Sequence, residues 1–560
     1  MKFNLYLLLS CVLITAFLLN SCEKQTKEDS TISGTEIEAA EQIIGLNFTP
    51  VERDSMIDNL LEERKNYEYI REENIPNDIP PALNFNPLPL GFSIPSGKSY
   101  LKFDNQTRVK LPANREELAF YSIRELGYLI RTGQISSTEL TIFFLERLRA
   151  FDKKLHCVIT YMEQSALKEA AEADKEIRAG EYRGFLHGIP YGAKDLLATK
   201  DYKTTWGAMP FKDQVLGYDA TIIKKLRQAG AVLIAKLTLG ALAWGDVWYG
   251  EKTRNPWNPE QGSSGSSAGS AAATAAGLVP FAIGTETWGS IVSPATRCGT
   301  SGLRPTFGRV SRNGAMALSW SMDKIGPICR SVEDCAIVFN SIIGSDEFDQ
   351  TVIDAPFQYS SKIDIKQLRI GYLINAFDQD YPNKENDLST LNKIRELGVN
   401  LIEVTLPDLP VSSLSFILSA EAAAAFDDLT RSGKDDMMVR QIKNAWPNAF
   451  RSARFIPAVE YIQANRVRFQ LIQEMDKIMQ NVDIYIAPTF DDDNLLLTNL
   501  TGHPCVVIPN GFNEERTPTS ISFLGRLFDE GRLLAFAKTY QQATDFHLQY
   551  PPLFFEGDKN

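Results

Sequence analysis

Apolar positions recur at helical spacing in some stretches of this chain and as short unbroken runs in others, and the two patterns alternate. Leu140, Phe144 and Leu148 share one face behind Ser136-Ser-Thr-Glu139, a capping box that predicts a helix start. Ser122-Ile-Arg-Glu125 predicts another helix, with Gly133 as its stop, and an Ala- and Glu-rich stretch over about 163–179 predicts a third. In DATIIKKLRQAGAVLIAKLTL the pattern switches: Asp219 reads as N-cap of an amphipathic helix, Gly230 as its stop, and 231–236 as a buried strand. AAATAAG, with small residues at helical spacing, is followed by LVPFAIG, a second apolar run of strand length. This alternation predicts an α/β fold. One large domain over 115–555 is expected, because no long polar break interrupts it and no repeats occur. Residues 406–485 read as mainly helical, and pocket-lining residues are expected there; 345–385 shows no clear period.

The N-terminus has a different pattern. Met1-Lys2 precedes an apolar run, Leu5 to Leu19, that ends at Asn20-Ser21-Cys22. A charged start and an apolar stretch too short for a comfortable membrane span predict a secretory signal over 1–21. LLNSC resembles a bacterial lipobox, in which the cysteine, here Cys22, receives lipid and becomes the mature first residue. The resemblance implies export and a lipid anchor at Cys22 on a bacterial cell-envelope membrane, facing the periplasm or the surface; a plain cleaved signal or an uncleaved anchor are the alternatives. Residues 22–50 are polar and suit a tether. Residues 51–114 read as an N-terminal extension, helical over 52–72, then broken by the prolines of NIPNDIPPALNFNPLPLGF.

Composition narrows the function. The chain is 44% apolar and 23% charged, with a formal net charge of −12, which argues against a nucleic-acid surface. Of seven cysteines, two (11 and 22) belong to the signal. The other five, Cys157, Cys298, Cys329, Cys335 and Cys505, lack paired spacing and read as small buried residues. Only four histidines occur, without H-E-x-x-H, so a zinc hydrolase is not expected. No metal or organic cofactor is implied.

The stretch GSSGSSAGSAAATAAG, 262–277, has the composition of a flexible linker. Its context is wrong for one, because a helix-strand unit follows at once, and then a second small polar turn, TETWGSIVSPA. Gly265-Ser-Ser267-Ala-Gly269 matches a nucleophile elbow and would nominate Ser267. That motif needs a preceding strand, whereas NPWNPEQGSS precedes it here, and no partnered histidine is evident. S-x-x-K occurs at Ser99–Lys102 and Ser165–Lys168 without companion motifs.

The whole segment GSSGSSAGSAAATAAGLVPFAIGTETWGSIVSPATRCGTSGLRPTFGRVS resembles the signature of the amidase signature family. Upstream GFLHGIPYGAKDLL and downstream SWSMDKIGPICRSVEDCA and TNLTGHPCVVIPNGF are similar to further family segments. The resemblance implies a large mixed central β-sheet covered by helices on both faces. It also implies a Ser-Ser-Lys triad: Ser290 as nucleophile, Ser266 as bridge from an unusual cis peptide bond, and Lys194 as base. The oxyanion hole falls on the backbone N–H groups of Thr287, Trp288, Gly289 and Ser290, with Thr285, Gly265 and Ser267 in support. The implied reaction is hydrolysis of a carboxylic amide through an acyl-enzyme, releasing ammonia or an amine. Its chemistry is coherent: a serine hydroxyl needs a base, and a lysine base needs desolvation to become neutral near pH 7. Asp195, beside that lysine, is expected to point away into structural hydrogen bonds.

Trp288 stands where many members carry a small or acidic residue, Ala268 replaces a common Gly, and Val292 takes a place where many have Arg; GTETWGSIV is similar to peptide-amidase-like members. His187 reads as a packed histidine, and Trp206, Trp244 and Trp248 as core. Two other functions stay open: an amidotransferase A-subunit-like protein working with partner chains, or a lipid-anchored binding protein without catalysis.

Overall fold

The computed structural model describes residues 32–73, 75–490 and 493–555. The expected signal and Cys22 lie outside them. Among the described residues, no helix is long and apolar enough to cross a membrane.

The chain divides into two units, one up to Ile75 and one from Pro76 onward. The first holds helices Gly34–Ile44 and Pro50–Glu72, each opened by a capping box (Ser33 with Glu36, Thr49 with Glu52), and Arg53 pairs with Glu41 at 2.7 Å. The division falls inside the extension expected over 51–114. Helix Pro50–Glu72 buries no residue. Within the larger unit, the proline-rich stretch beyond 76 packs by its aromatics and by strand pairing. Phe85 meets the Phe307 ring edge-on at 5.0 Å, and Tyr100–Lys102 pairs in parallel with Gln358–Ser360.

The larger unit is built on an 11-stranded sheet. In chain order its strands are β1 (Val158–Tyr161), β2 (Pro190–Lys194), β3 (Val232–Leu237), β4 (Phe281–Glu286), β5 (Ser301–Arg304) and β6 (Lys324–Cys329), followed by β7 (Ile370–Leu373), β8 (Leu401–Val404), β9 (Ile484–Pro488), β10 (Cys505–Phe512) and β11 (Pro518–Gly525). Across the sheet they run β8-β7-β9-β11-β10-β5-β6-β4-β2-β3-β1. Parallel pairing is confined to β8-β7-β9 and β4-β2-β3; all other neighbours are antiparallel. This is an α/β fold with a large mixed sheet. Every residue of β2, β3, β4, β6, β9 and β11 is buried. A strand exposes alternate residues to opposite faces, so helices must cover both.

The capping boxes at Ser122 and Ser136 open helices Ile123–Arg131 and Ser137–Leu155, and Glu163–Arg178 follows. Asp219 departs from expectation. Helix Thr221–Gln228 starts after Ala220 with no side-chain cap, and Asp219 instead accepts from Lys200 N at 2.9 Å and pairs with Arg227 at 2.7 Å. A guanidinium one helical face away outcompetes the helix's own N–H groups. The 406–485 region is helical over Phe416–Ala425, Asp427–Arg431, Trp446–Ala453 and Ala458–Asn481. Cys157, Cys298, Cys329, Cys335 and Cys505 are buried and free.

Two features set up the site. Parallel register pairs Gly192 with Ala282 and Ala193 with Ile283, so Lys194, the last residue of β2, comes level with Gly284, two residues before the end of β4. Helix Ala268–Ala275, entirely buried, lies against these strands, with Ser270 Oγ donating to Ile283 O at 3.0 Å. The helix comes this close because Gly269 lacks a side chain: a Cβ there would lie 2.5 Å from both Cys157 O and Thr238 N. In a free helix Gly→Ala gains about 1 kcal/mol. Here overpacking against backbone reverses the sign, and Gly269→Ala should destabilise the protein by about 1–3 kcal/mol. Urea unfolding checks this; an unchanged or raised midpoint would refute the packing account.

Candidate active site

Lys194 is fully buried, and its Nζ lies 2.8 Å from Ser266 Oγ, 2.9 Å from Thr285 Oγ1 and 3.1 Å from Ser267 Oγ. These neighbours are neutral hydroxyls. Burial pushes the Lys194 amine down to about 7, against the opposing pull of Asp323 and then Glu286. The partly positive N-terminal end of helix Ala268–Ala275 faces the same spot and also disfavours an ammonium.

Asp195 points away from the site, as expected. Its Oδ2 accepts from Thr205 N at 2.8 Å and Thr205 Oγ1 at 2.6 Å, while Oδ1 pairs with the fully buried Lys236 at 2.8 Å. Its charge is thereby matched, and the adjacent lysine remains without a carboxylate in contact.

The peptide bond between Gly265 and Ser266 is cis. Gly265 has no space for a side chain, since a Cβ would lie 1.9 Å from Gly245 O. Ser267 is saturated. It donates to Thr285 O at 3.1 Å, accepts from Thr285 N at 3.1 Å, and neighbours Lys194. A hydroxyl so placed locks the helix start to β4 and has no lone pair free for attack, which disfavours the elbow that would nominate it.

Ser290 lies on the turn after β4, and its carbonyl accepts from Ser267 N at 3.1 Å, so the two small-residue turns are tied together by backbone. Among the described residues, the N–H groups of Thr287, Trp288, Gly289 and Ser290 donate to no protein acceptor. Four successive unpaired donors can receive a developing negative charge. Trp288 is the exposed member of the turn, at 43%.

The sequence did not assign roles to the groups that hold this turn. Glu286 closes it from below: Oε2 accepts from Ile291 N and Val292 N, both at 2.9 Å, and Oε1 accepts from Arg304 Nη1 and Asn499 Nδ2, both at 2.9 Å. Burial would raise the Glu286 carboxyl, but Arg304 and these hydrogen bonds outweigh it and hold it at about 2. Asp323 braces the turn from the side, accepting from Thr287 Oγ1 at 2.5 Å and from Leu318 N and Ser319 N at 2.8 and 2.9 Å. Each of these residues sits in a segment that resembles the family, yet only long-range contacts reveal what it does.

His187 is packed as expected, but of the three tryptophans expected in the core only Trp206 is buried, and Trp244 and Trp248 are half-buried. His187 is buried, accepts from Arg183 N at 3.1 Å and lies 3.0 Å from Glu176. Trp206 is buried and Trp244 meets Trp446 edge-on at 4.7 Å, while Trp248 is half-buried against Tyr249.

A family model described as Amidase matches residues 139–497. Among curated proteins, the glutamyl-tRNA(Gln) amidotransferase A-subunit from Roseiflexus castenholzii is 34% identical over 488 residues, covering 78% of this chain and 98% of the relative. Its counterpart from a Marinomonas species is 33% identical, covering 77% and 98%. Among solved structures, native peptide amidase from Stenotrophomonas maltophilia superposes with a TM-score of 0.71 at 29% identity, covering 79% of this chain and 100% of that one. An amidase family protein from Bacillus anthracis gives 0.69 at 27%, covering 78% and 93%.

If Asp195 serves the buried pair and not the lysine beside it, Asp195→Ala should cost about 3–5 kcal/mol by stranding the Lys236 charge. Adding Lys236→Met should recover part of that loss. Chemical denaturation of both variants checks this; strictly additive losses would refute the pairing.

Proposed function

This chain belongs to the amidase signature family, and from that premise we propose that it hydrolyses a carboxylic amide, with Ser290 as nucleophile, Ser266 as proton relay and Lys194 as base. The observation that carries the reading is the 2.8 Å approach of a fully buried lysine amine to Ser266, with the amine held down to about 7.

Proton counting gives the relay its direction. A neutral amine has two hydrogens and one lone pair. Ser267 already donates its hydrogen to Thr285 O, so toward Nζ it can only accept. Thr285 O is likewise an acceptor. The lone pair is therefore open to the hydroxyls of Ser266 and Thr285, and Ser266 is the nearer.

In the acylation step Lys194 Nζ takes the Ser266 proton as Ser266 Oγ takes the proton of Ser290. Ser290 Oγ bonds to the amide carbon, and the carbonyl oxygen becomes an oxyanion facing the N–H groups of 287–290. The relay then runs backward: a proton passes from Lys194 through Ser266 to the amide nitrogen, the C–N bond breaks, and ammonia or an amine leaves. Water attacks the ester by the same route, releasing the carboxylic acid and restoring the Ser290 hydroxyl. Removing one oxyanion donor typically costs about 10²–10³ in rate, so the bracing of the turn by Glu286 and Asp323 bears directly on turnover.

The amidotransferase relatives support a second reading, in which the released ammonia is handed to a partner chain. Free ammonia accumulating from a primary amide with the purified chain alone favours the first. Ammonia formation that requires added partner chains favours the second.

Ser290→Ala and Lys194→Ala should each lower kcat/KM by about 10⁴–10⁶-fold with the fold intact by circular dichroism. Wild-type turnover by Ser290→Ala would end the proposal. The pH dependence has a definite sign: only the neutral amine accepts a proton, so kcat/KM should rise with pH and reach half its plateau near 7. A profile whose acid limb lies near 10, at an ordinary lysine, would contradict the desolvated base.

A further inference from the structure

A cavity of about 80 Å³ is lined by Thr285 and Thr287, at the end of β4 and the start of the turn, and by Asn77, Asp78 and Pro80. Thr285 Oγ1 is 2.9 Å from Lys194 Nζ, so the space begins one residue from the proposed base. Its lining includes Leu196, Met316, Leu318 and Ile325, and it takes no residue from 406–485, where lining was expected. The region supplying Asn77 to Pro80 precedes the residues matched to the family model, 139–497.

The charged groups around this cavity are already committed. Arg312 donates to both carboxylate oxygens of Asp349, at 2.9 and 3.2 Å, and to Trp320 O at 2.6 Å and Thr351 Oγ1 at 2.8 Å. Lys324 donates to Met322 O, and Asp323 holds Thr287 and two backbone N–H groups. Arg312 and Asp323 are thus occupied, Lys324 is buried and burial holds its amine well below the ordinary lysine value, and the exposed Asp78 carboxylate among the lining residues repels an anion. The volume holds roughly five to eight water-sized spheres, which suits a branched aliphatic side chain.

The wall formed by Asn77 is fixed like a paired strand. Asn77 Nδ2 donates to Ala317 O at 2.9 Å and Ala425 O at 3.2 Å, and Oδ1 accepts from Ala317 N at 2.8 Å. One side chain thus fastens the segment both to the cavity loop and to the end of helix Phe416–Ala425.

We propose that residues 76–80 are a specificity element that completes a pocket for the acyl side chain of the substrate, selecting uncharged apolar acyl groups over anionic ones. This rests on the amide-hydrolase reading. Asn77 acts by positioning the wall, not by touching the reacting atoms.

The test uses the full chain with three primary amides: acetamide, 4-methylpentanamide, and succinamate, which replaces the isopropyl end by a carboxylate of similar shape. Wild type should prefer 4-methylpentanamide to succinamate by at least about tenfold in kcat/KM. Asn77→Ala should lower the ratio of 4-methylpentanamide to acetamide by about tenfold, mainly through KM. Pro80→Gly changes an exposed residue and should lower the same ratio, which keeps the test available if Asn77→Ala does not fold. An enzyme that turns over amides and takes a fluorophosphonate label at Ser290, yet keeps the ratio within about twofold in both variants, overturns the specificity element alone. So does equal use of succinamate and 4-methylpentanamide by wild type. A folded protein that takes no label and cleaves none of the three overturns the hydrolase reading, and this inference with it.

Discussion

Taking the Lys194 ammonium out of water and leaving it without a carboxylate in contact moves its pKa from 10.5 to about 7, a differential cost on the order of 5 kcal/mol at 1.36 kcal/mol per unit. Nothing local to the lysine supplies that energy. It comes from the packing that buries the end of β2, which is why a strand with every residue covered carries the base. A lysine on a loop could move into solvent and regain its proton. At the C-terminal edge of parallel strands, where α/β sheets open a crevice, the side chain is instead held against β4 and the helix start.

Keeping that amine neutral places a demand on every carboxylate nearby, and the structure meets it by giving each one its own partners. Asp195 has Lys236, Glu286 has Arg304 and two backbone N–H groups, and Asp323 has Thr287 and two more. Buried ion pairs add little net stability against an apolar replacement, but breaking one is costly. Their effect here is on arrangement. A carboxylate with its lone pairs occupied cannot swing toward Lys194 and hold it charged. The same contacts shape the turn, so the electrostatics of the base and the geometry of the N–H donors are maintained by the same residues.

Much of this was legible in the sequence where the signal is local. The capping boxes at Ser122 and Ser136 open the helices they predicted, and the apolar runs at 231–236 and 278–284 overlap the buried strands Val232–Leu237 and Phe281–Glu286. Local reasoning failed where a distant group competes. Asp219 looked like an N-cap, but Arg227 and Lys200 take its carboxylate. Glu286 and Asp323 lay inside recognisable motifs, yet their function depends on Arg304, Asn499, Leu318 and Ser319, which no spacing rule connects.

The linker-like composition of 262–277 shows why composition alone cannot decide between flexibility and a site. Gly and Ser give a free chain few side chains to pack, so it stays mobile. The same small size lets backbone from three elements approach within contact, as at Gly265 against Gly245 O and Gly269 against Thr238 N. Once they are that close, each serine hydroxyl finds a partner: Ser263 Oγ donates to Ser264 O at 2.9 Å, Ser264 Oγ meets Ser293 Oγ at 2.7 Å, Ser266 and Ser267 meet Lys194, and Ser270 Oγ donates to Ile283 O. Whether such a segment is loose or rigid is set by the elements around it. Here a buried helix, a buried strand and a desolvated lysine fix it, and a run of residues with almost no side chains becomes a closely packed part of the fold.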